Sequence, residues 1–221
     1  MIQSDFAGVA LVYIYVAILL LITEKILEGY PEASRKILHI MVGNIAFILP
    51  VFQTKEVMAF LAAGPFILFT YLMSPHTPIK KIKGRLSQAG HSMGLVYYSI
   101  SWTILAYLFF DYKVVIAIGI LAMSYGDGFA SLIGVKYGKR KYNVFGDEKS
   151  YIGSFSLIII TFFMMILAQI YYGENIDYFS ISILLFIASI AAIVEGITPK
   201  GLDNLSVPFV ISFIYWIVFI K

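Results

Sequence analysis

The sequence contains no cysteine. The chain therefore cannot form disulfides, and it has no thiolate to serve as a nucleophile or as a metal ligand. It also lacks a basic tail or a helix with one basic face, and its formal net charge is only +3. These absences argue against nucleic-acid binding, so no nucleic-acid partner is expected.

Charged residues are scarce as well. They make up 13% of the chain, whereas hydrophobic residues make up 60%, and the mean hydropathy is +0.88. A soluble domain carries about 25% charged residues, and a soluble core of this size could not bury so much apolar surface. We therefore expect an integral membrane protein. No polar stretch is long enough for a second, soluble domain, so residues 1–221 are expected to form a single integral membrane domain.

Eight apolar runs approach the roughly 20 residues that a membrane-spanning helix needs. They predict an all-α, polytopic membrane helix bundle of about eight transmembrane helices. The second run is short, and the fifth is interrupted at Gly126-Asp127-Gly128. No basic residue precedes the first run, so it is expected to be a retained helix rather than a signal peptide. The runs cover residues 6–23, 38–52, 57–73, 93–110, 114–135, 153–172, 178–198 and 204–220.

Basic residues are divided unevenly between the loops that connect these runs. Thirteen of the sixteen Lys and Arg residues fall in the loops after runs one, three, five and seven. The exceptions are Lys55, Lys113 and Lys221. Because basic loops stay in the cytoplasm, this split predicts that loops bearing Lys83 and Lys139 are cytoplasmic and that both termini face outward.

Several polar residues lie within or at the ends of the runs. A charged group inside a span costs about 2.5–3.5 kcal/mol on insertion scales and is a functional suspect by default. Asp127 lies in the fifth run and Glu195 near the end of the seventh, while Asp203 precedes the eighth. His39 and Asn44 lie at the start of the second. All of them lie toward the ends predicted to be cytoplasmic.

The segment after Asp127 combines glycines, basic residues and serines. Glycine lets the backbone approach a ligand closely, and Lys and Arg neutralise phosphate oxygens. Nearby carboxylates suit Mg²⁺, which prefers oxygen ligands. The pattern predicts a nucleotide site above a lipid headgroup. Its candidate residues are Gly134, Gly138, Lys139, Arg140, Lys149, Ser150, Gly153 and Ser154.

Each feature also has a simpler interpretation. The basic loops can serve only to set topology or to contact anionic lipid. The break at Asp127 can be a kink that neighbouring helices satisfy, and His39 can be a structural hydrogen-bonding residue. A lone Asp in a span is also a candidate proton relay, which keeps a transporter among the alternatives. Composition alone does not separate these classes.

Three stretches carry a resemblance to a known family. Residues 35–43 contain an Arg-Lys-x-x-His-x-x-x-Gly pattern, residues 126–154 contain the Asp127 segment and the loop after it, and residues 195–208 contain Glu195-Gly196 and Asp203-Asn204. In order and spacing they resemble the polyprenol kinase family of membrane lipid kinases, which includes dolichol kinase and phytol kinase. The resemblance extends over most of the chain.

The resemblance implies a reaction in which CTP phosphorylates the hydroxyl of a long isoprenoid alcohol of the dolichol, polyprenol, phytol or geranylgeraniol type. It also implies a CTP site in the loop that follows Asp127. CTP as the donor comes only from the resemblance, whereas the phosphate site was predicted from the residues themselves.

The sequence departs from the family pattern at two positions. Ile152 occupies the position where the family often has Glu, which removes one possible metal or ribose contact, and Gly128 replaces the Ala that often follows the Asp. The related phosphatidate cytidylyltransferases share part of the Asp127 pattern and also use CTP. Their ending has a His and an Arg that are missing from Gly201-Leu202-Asp203-Asn204. The kinase is therefore favoured over an enzyme that makes a CDP-activated lipid.

These considerations assign a role to each candidate residue. We expect Asp127 and Glu195 to hold Mg²⁺ or one of them to act as base, with Asp203 as the rival base. Basic side chains would grip the phosphates, and the start of the sixth run would add donors where the helix dipole favours an anion. The phosphate-gripping residues are Lys139, Arg140 and Lys149, the added donors are Ser150, Gly153 and Ser154, and Arg35, Lys36 and His39 complete the pocket. The oligomeric state is not predicted.

Overall fold

A computed structural model describes residues 3–26, 30–74, 76–77, 93–199 and 201–221 of the chain. The protein is 81% helical, which confirms the all-α membrane bundle that the composition predicted. Five of the predicted loop cations lie outside the described residues. They are Lys80, Lys81, Lys83, Arg85 and Lys200.

Each of the eight apolar runs corresponds to helical structure. Short π-helical or 3₁₀ segments lie in or next to the first, second, third and fifth runs. A π segment at Ile22–Ile26 follows α1, 3₁₀ turns at Gly43–Phe47 and Leu49–Val51 extend α2, and a π segment at Val57–Ala63 leads into α3. The α-helices are α1 (Gln3–Leu21), α2 (Pro31–Val42), α3 (Pro65–Met73), α4 (Gly94–Leu108), α5 (Lys113–Leu121), α6 (Gly128–Tyr137), α7 (Tyr151–Tyr172), α8 (Tyr178–Ile197) and α9 (Asp203–Phe219).

Five helical segments are long and apolar enough to cross a membrane. They are Gln3–Leu21, Ala33–Val51, Lys113–Tyr137, Tyr151–Tyr172 and Tyr178–Ile197. The second run, which was expected to be short, reaches this length because the 3₁₀ turns after α2 continue the helix. Three shorter apolar helices account for the other runs: Val57–Met73, Gly94–Leu108 and Asp203–Phe219.

The central helix of the bundle combines α5 and α6 across Lys113–Tyr137. Residues 114–121 are all buried, since other helices surround this segment. The interruption predicted at Gly126-Asp127-Gly128 is a π-helical segment, Ala122–Asp127, through which the helix continues without a break. A π segment widens one turn and often marks a functional site. Here it ends at Asp127.

Hydrogen bonds from neighbouring helices hold the π segment. Tyr98 and Ser124 join their hydroxyls at 2.8 Å, and the Tyr125 hydroxyl donates to Asn44 Oδ1 at 2.6 Å. These bonds connect the widened turn to α4 and to the 3₁₀ turn after α2. The backbone that carries Asp127 is therefore positioned from two sides.

A β-hairpin connects α6 to α7, which the sequence reading did not predict. Strands β1 (Lys141–Val144) and β2 (Asp147–Ser150) pair in antiparallel register, with Val144 opposite Asp147. Phe145 and Gly146 form the two-residue turn, both with positive φ, of 48° and 96°. Turns of this kind match the twist of the paired strands.

The loops predicted to share one side converge at one end of the bundle, which we call the site end. The starts of α2, α4, α7 and α9 and the ends of α3, α6 and α8 all contribute residues to a single cavity there. The described parts of the loops after runs one, three, five and seven therefore contribute to one cavity, and their side of the membrane stays a prediction.

Candidate active site

Three carboxylates meet at the site end. Asp127 ends the π segment, Glu195 lies in the last turn of α8, and Asp203 begins α9. One oxygen from each lies within 4.8 Å of the others. Glu195 is buried, and the other two are half-buried. Crowded carboxylates repel one another unless a cation lies among them, so this acidic cluster needs a positive partner.

Lys149 on β2 supplies part of that charge. Its Nζ donates to the backbone oxygen of Glu195, to Glu195 Oε1 at 2.7 Å and to the Thr198 oxygen at 3.0 Å, and it lies 3.6 Å from Asp203 Oδ2. Burial lowers the pKa of Lys149, but the carboxylates outweigh this effect and leave the pKa above its ordinary value. An ammonium has three donors, and the hydrogen bonds of Lys149 all go to acceptors at the end of α8. The sequence had assigned it to phosphate.

His39 reaches the cluster from α2. Its Nε2 lies 3.5 Å from Asp127 Oδ2 and 3.2 Å from the carbonyl oxygen of Met123. Both neighbours are acceptors, so Nε2 carries the hydrogen in this geometry. His39 therefore orients the Asp127 carboxylate through the N–H at this nitrogen, and its role as a catalytic candidate stays a prediction.

The first turns of α2 form a basic wall of the cavity through Arg35 and Lys36. Arg35 Nε is buried and has no hydrogen-bond acceptor among the described residues. Lys36 Nζ donates to the Ser131 oxygen at 3.5 Å, which holds it against α6. A half-buried guanidinium whose Nε has no acceptor among the described residues suits a phosphate group, which guanidinium binds in a bidentate way.

The serines and glycines before and within α7 lie in the cavity wall but have structural partners. Ser150 caps α7, because its Oγ accepts the Gly153 N–H at 3.1 Å. The hydroxyls of Ser154 and Tyr142 meet at 2.7 Å. A Cβ added to Gly134 would lie 2.7 Å from Ser150 Oγ, and one added to Gly153 would lie 2.8 Å from the Ala130 oxygen. These glycines therefore allow α6 and α7 to pack closely.

Three candidates lie away from the cavity lining. Lys139 and Arg140 are exposed, and Gly138 ends α6, where its N–H donates to the Gly134 oxygen. Lys141, which was not predicted, lines the cavity instead and contacts Glu148 Oε2 at 2.7 Å. The hairpin redirects the chain after Gly138, and a loop without this turn would have kept all these cations together.

The cavity that these residues surround has a volume of about 440 Å³. One wall carries the acidic cluster and Lys149, and another carries Arg35 and Lys36. Candidate residues in the lining are Arg35, Lys36, His39, Asp127, Gly134, Lys149, Ser150, Gly153, Ser154, Glu195 and Asp203. The fold therefore brings most of the predicted set into one place.

Asn204 is a lining residue to which the sequence analysis assigned no role. Its amide nitrogen donates to the Gly201 oxygen at 3.1 Å and to Asp203 Oδ1 at 3.2 Å. Its Oδ1 is buried and accepts no hydrogen bond within the described parts of the chain. The sequence could have indicated Asn204, since it directly follows Asp203 in the third stretch that carries the family resemblance.

The donor set fits Mg²⁺. Three carboxylates within 4.8 Å of one another offer only oxygen ligands, which this ion prefers. The described residues around the cluster contain no thiolate, and the nearby imidazole nitrogen of His39 already faces Asp127. These residues would leave room for water and phosphate oxygens on the cavity side.

Comparison with known proteins identifies the family. A phytol kinase of Synechocystis sp. is 32% identical to the chain over 195 residues, which cover 84% of this chain and 78% of that protein. The chain belongs to the phytol kinase family. The resemblance drawn from the three motifs is thereby confirmed.

Plant members of the phytol kinase family are longer than this chain. A probable chloroplastic phytol kinase 1 of Oryza sativa is 29% identical, over 84% of the chain and 64% of that protein. Phytol kinase 1 of Arabidopsis thaliana is 30% identical, over 79% of the chain and 62% of that protein. The chain thus spans less than two thirds of these two plant proteins. No protein-family model matches the chain, and no solved structure matches it significantly.

Proposed function

We propose that the protein is a membrane kinase that transfers the γ-phosphate of CTP to the hydroxyl of an isoprenoid alcohol. The observation that carries this proposal is one cavity lined by both the acidic cluster and the cations Arg35 and Lys36. Kinases need oxygen ligands for a metal and cations for phosphate oxygens in one place. The relatives named as phytol kinases support an isoprenoid alcohol as the acceptor.

Asp127 and Glu195 would hold Mg²⁺ on the nucleotide phosphates, with Asp203 beside them. The ion would neutralise charge on the transferred phosphoryl group. His39 and Lys149 hold two of these carboxylates in place, at 3.5 Å from Asp127 and 2.7 Å from Glu195. Arg35 and Lys36 would bind the phosphate oxygens from the opposite wall.

Asp203 is the best-placed group to take the proton from the alcohol. Asp127 is oriented by His39, and Glu195 is bound by Lys149, whereas the nearest cation to Asp203 in the described chain is 3.6 Å away. Asp203 Oδ1 accepts hydrogen bonds from the Asn204 N–H at 3.0 Å and from the Asn204 amide at 3.2 Å, so Oδ2 is the oxygen that we propose as the base. As the alcohol oxygen bonds to the γ-phosphorus, the bond from that phosphorus to the bridging oxygen breaks, CDP leaves, and the proton passes to Asp203.

The decisive experiment supplies purified protein in nanodiscs with CTP labelled at either the γ- or the α-phosphate, together with phytol, geranylgeraniol or a polyprenol. We expect label in the lipid from γ-labelled CTP only, CDP as the second product, and loss of transfer when EDTA removes Mg²⁺. A CDP-linked lipid with release of pyrophosphate would instead identify a cytidylyltransferase. ATP as effective as CTP would contradict the choice of donor.

The proposal places the site end in the cytoplasm and both termini outside. The charge pattern of the loops supports this orientation. Because the chain has no cysteine, single cysteines at positions 139 and 221 can be tested in sealed cells with an impermeant thiol reagent. We expect labelling at 221 and protection at 139; the opposite result would reverse the orientation.

A further inference from the structure

The active-site cavity continues into a second, apolar space between the helices. This slot has a volume of about 60 Å³ and lies between α1, α2, α3 and α4. Leu20, Leu38, Phe66 and Trp102 are among the side chains that line it. The cavity and the slot share four lining residues: His39, Thr70, Met73 and Leu95. The two spaces are therefore neighbours with a common boundary.

Most polar groups around the slot are bonded to the protein, whereas Trp102 Nε1 is buried and has no acceptor among the described residues. Thr70 Oγ1 donates to the Phe66 oxygen at 2.6 Å, and Ser99 Oγ donates to the Leu95 oxygen at 3.1 Å. The Tyr98 hydroxyl is bonded to Ser124 at 2.8 Å. The slot consequently offers carbon surface to its occupant, which suits a hydrocarbon and gives water too few partners.

The boundary between the two spaces lies beside the reacting groups. His39 belongs to both linings, and its ring lies 3.5 Å from Asp127. Phe69, another lining residue, is 41% exposed, and we infer that the slot opens toward lipid there. A molecule with an apolar chain and a polar end could therefore enter from the bilayer and present that end to the acidic cluster.

We propose that this slot binds the first isoprene units of the alcohol, with its hydroxyl at the boundary beside His39. The rest of the chain lies in the bilayer past Phe69, because the slot is much smaller than the cavity and cannot hold a long isoprenoid. The proposal rests on the proposed function for the identity of the alcohol. It adds the location of the acceptor site, on the α1–α4 side of the bundle.

The first test fills the slot. Val16 lines it, whereas Ile18 on the same helix is 49% exposed on the outer surface. We expect Val16→Trp to raise the KM for phytol by about tenfold or more, since a few buried methylenes account for such a factor. The KM for CTP should stay unchanged. Ile18→Trp is the matched control and should leave both constants unchanged. Equal KM values for phytol in the two variants, both folded by thermal unfolding, would overturn the proposal.

The second test does not depend on activity. A geranylgeraniol analogue with a diazirine in its first isoprene unit is photolysed with the wild-type protein, and labelled peptides are identified by mass spectrometry. We expect labels on α1–α4, lost on addition of excess phytol and retained with excess phospholipid. Labels mainly on α7 and α8, or competition by phospholipid, would overturn the proposal that the slot binds the alcohol. If no alcohol is phosphorylated, the proposed function fails, and this labelling still decides whether the slot binds isoprenoids.

Discussion

The two ends of the bundle use buried carboxylates in different ways. At the end opposite the site, Asp5 is fully buried and accepts hydrogen bonds from the Gln53 N–H at 2.8 Å, the Thr54 N–H at 3.1 Å and the Thr54 hydroxyl at 2.6 Å. At the site end, three carboxylates crowd within 4.8 Å of one another. At Asp5, hydrogen-bond donors stabilise a single negative charge. At the site end, several negative charges lie close together.

This difference separates a structural carboxylate from the carboxylates that we propose as functional. Asp5 fastens the start of α1 to the turn before the third span, and its hydrogen bonds stabilise the charged form. The acidic cluster lowers the stability of the apoprotein, because like charges repel, and a protein keeps such a cost when function requires it. Burial alone would have treated Asp5 and Glu195 as equivalent.

Asp127→Asn should give the largest effect on activity. The amide keeps the shape but is a poor Mg²⁺ ligand, so turnover should fall by about 10²-fold or more. Thermal stability should hold or rise, because one of three repelling charges is gone. Turnover in nanodiscs and thermal unfolding measure the two effects. A stable variant with near-normal turnover would show that Asp127 does not take part in the reaction, and the contrast between the two ends would then not hold.

Lys149→Ala and Arg35→Ala should affect different kinetic constants. Lys149 donates to Glu195 and Thr198, so its loss should lower kcat by about tenfold through a misplaced carboxylate and leave the KM for CTP nearly unchanged. Arg35 has unused donors in the cavity, so its loss should raise the KM for CTP by about tenfold. Steady-state kinetics with CTP varied distinguishes them. A raised KM for CTP in Lys149→Ala would indicate instead that Lys149 binds the phosphates.

Asp5→Ala should affect stability and not chemistry. It leaves two backbone N–H groups and a hydroxyl without their acceptor, at a cost of about 1–3 kcal/mol. Unfolding by heat or by denaturing detergent should report the loss, while turnover per folded molecule stays at the wild-type level. A large fall in turnover at unchanged stability would show that the opposite end takes part in the reaction.

Lys139→Ala and Arg140→Ala should give the smallest effects. Both side chains are exposed and lie outside the cavity lining, so kcat/KM should change by no more than about twofold, as for most exposed charges. Lys141→Ala is the matched comparison on the adjacent hairpin, at the rim of the cavity. A tenfold loss in Lys139→Ala or Arg140→Ala would mean that the loop after α6 closes over the nucleotide.

The bundle could be predicted because its signals are local in the sequence. Each apolar run reports its own preference for lipid, and a charged residue such as Asp127 is costly in any span whatever its neighbours are. The hairpin between α6 and α7 was missed, since its strands are only four residues long and β2 contains no apolar residue. The π segment was anticipated only as a break, because its hydrogen bonds come from Asn44 and Tyr98 on other helices.

The sequence by itself determined the helical membrane class, the eight apolar segments and the acidic and basic residues that belong to the candidate site. Only the tertiary structure decided how those residues are paired. Lys149 and Glu195 are 46 positions apart, and Asp203 meets Asp127 although α6, α7 and α8 lie between them in the sequence. Their partners depend on how helices pack, because hydrogen bonds and charge pairing act over a few ångströms in space and leave no periodic signal along the chain.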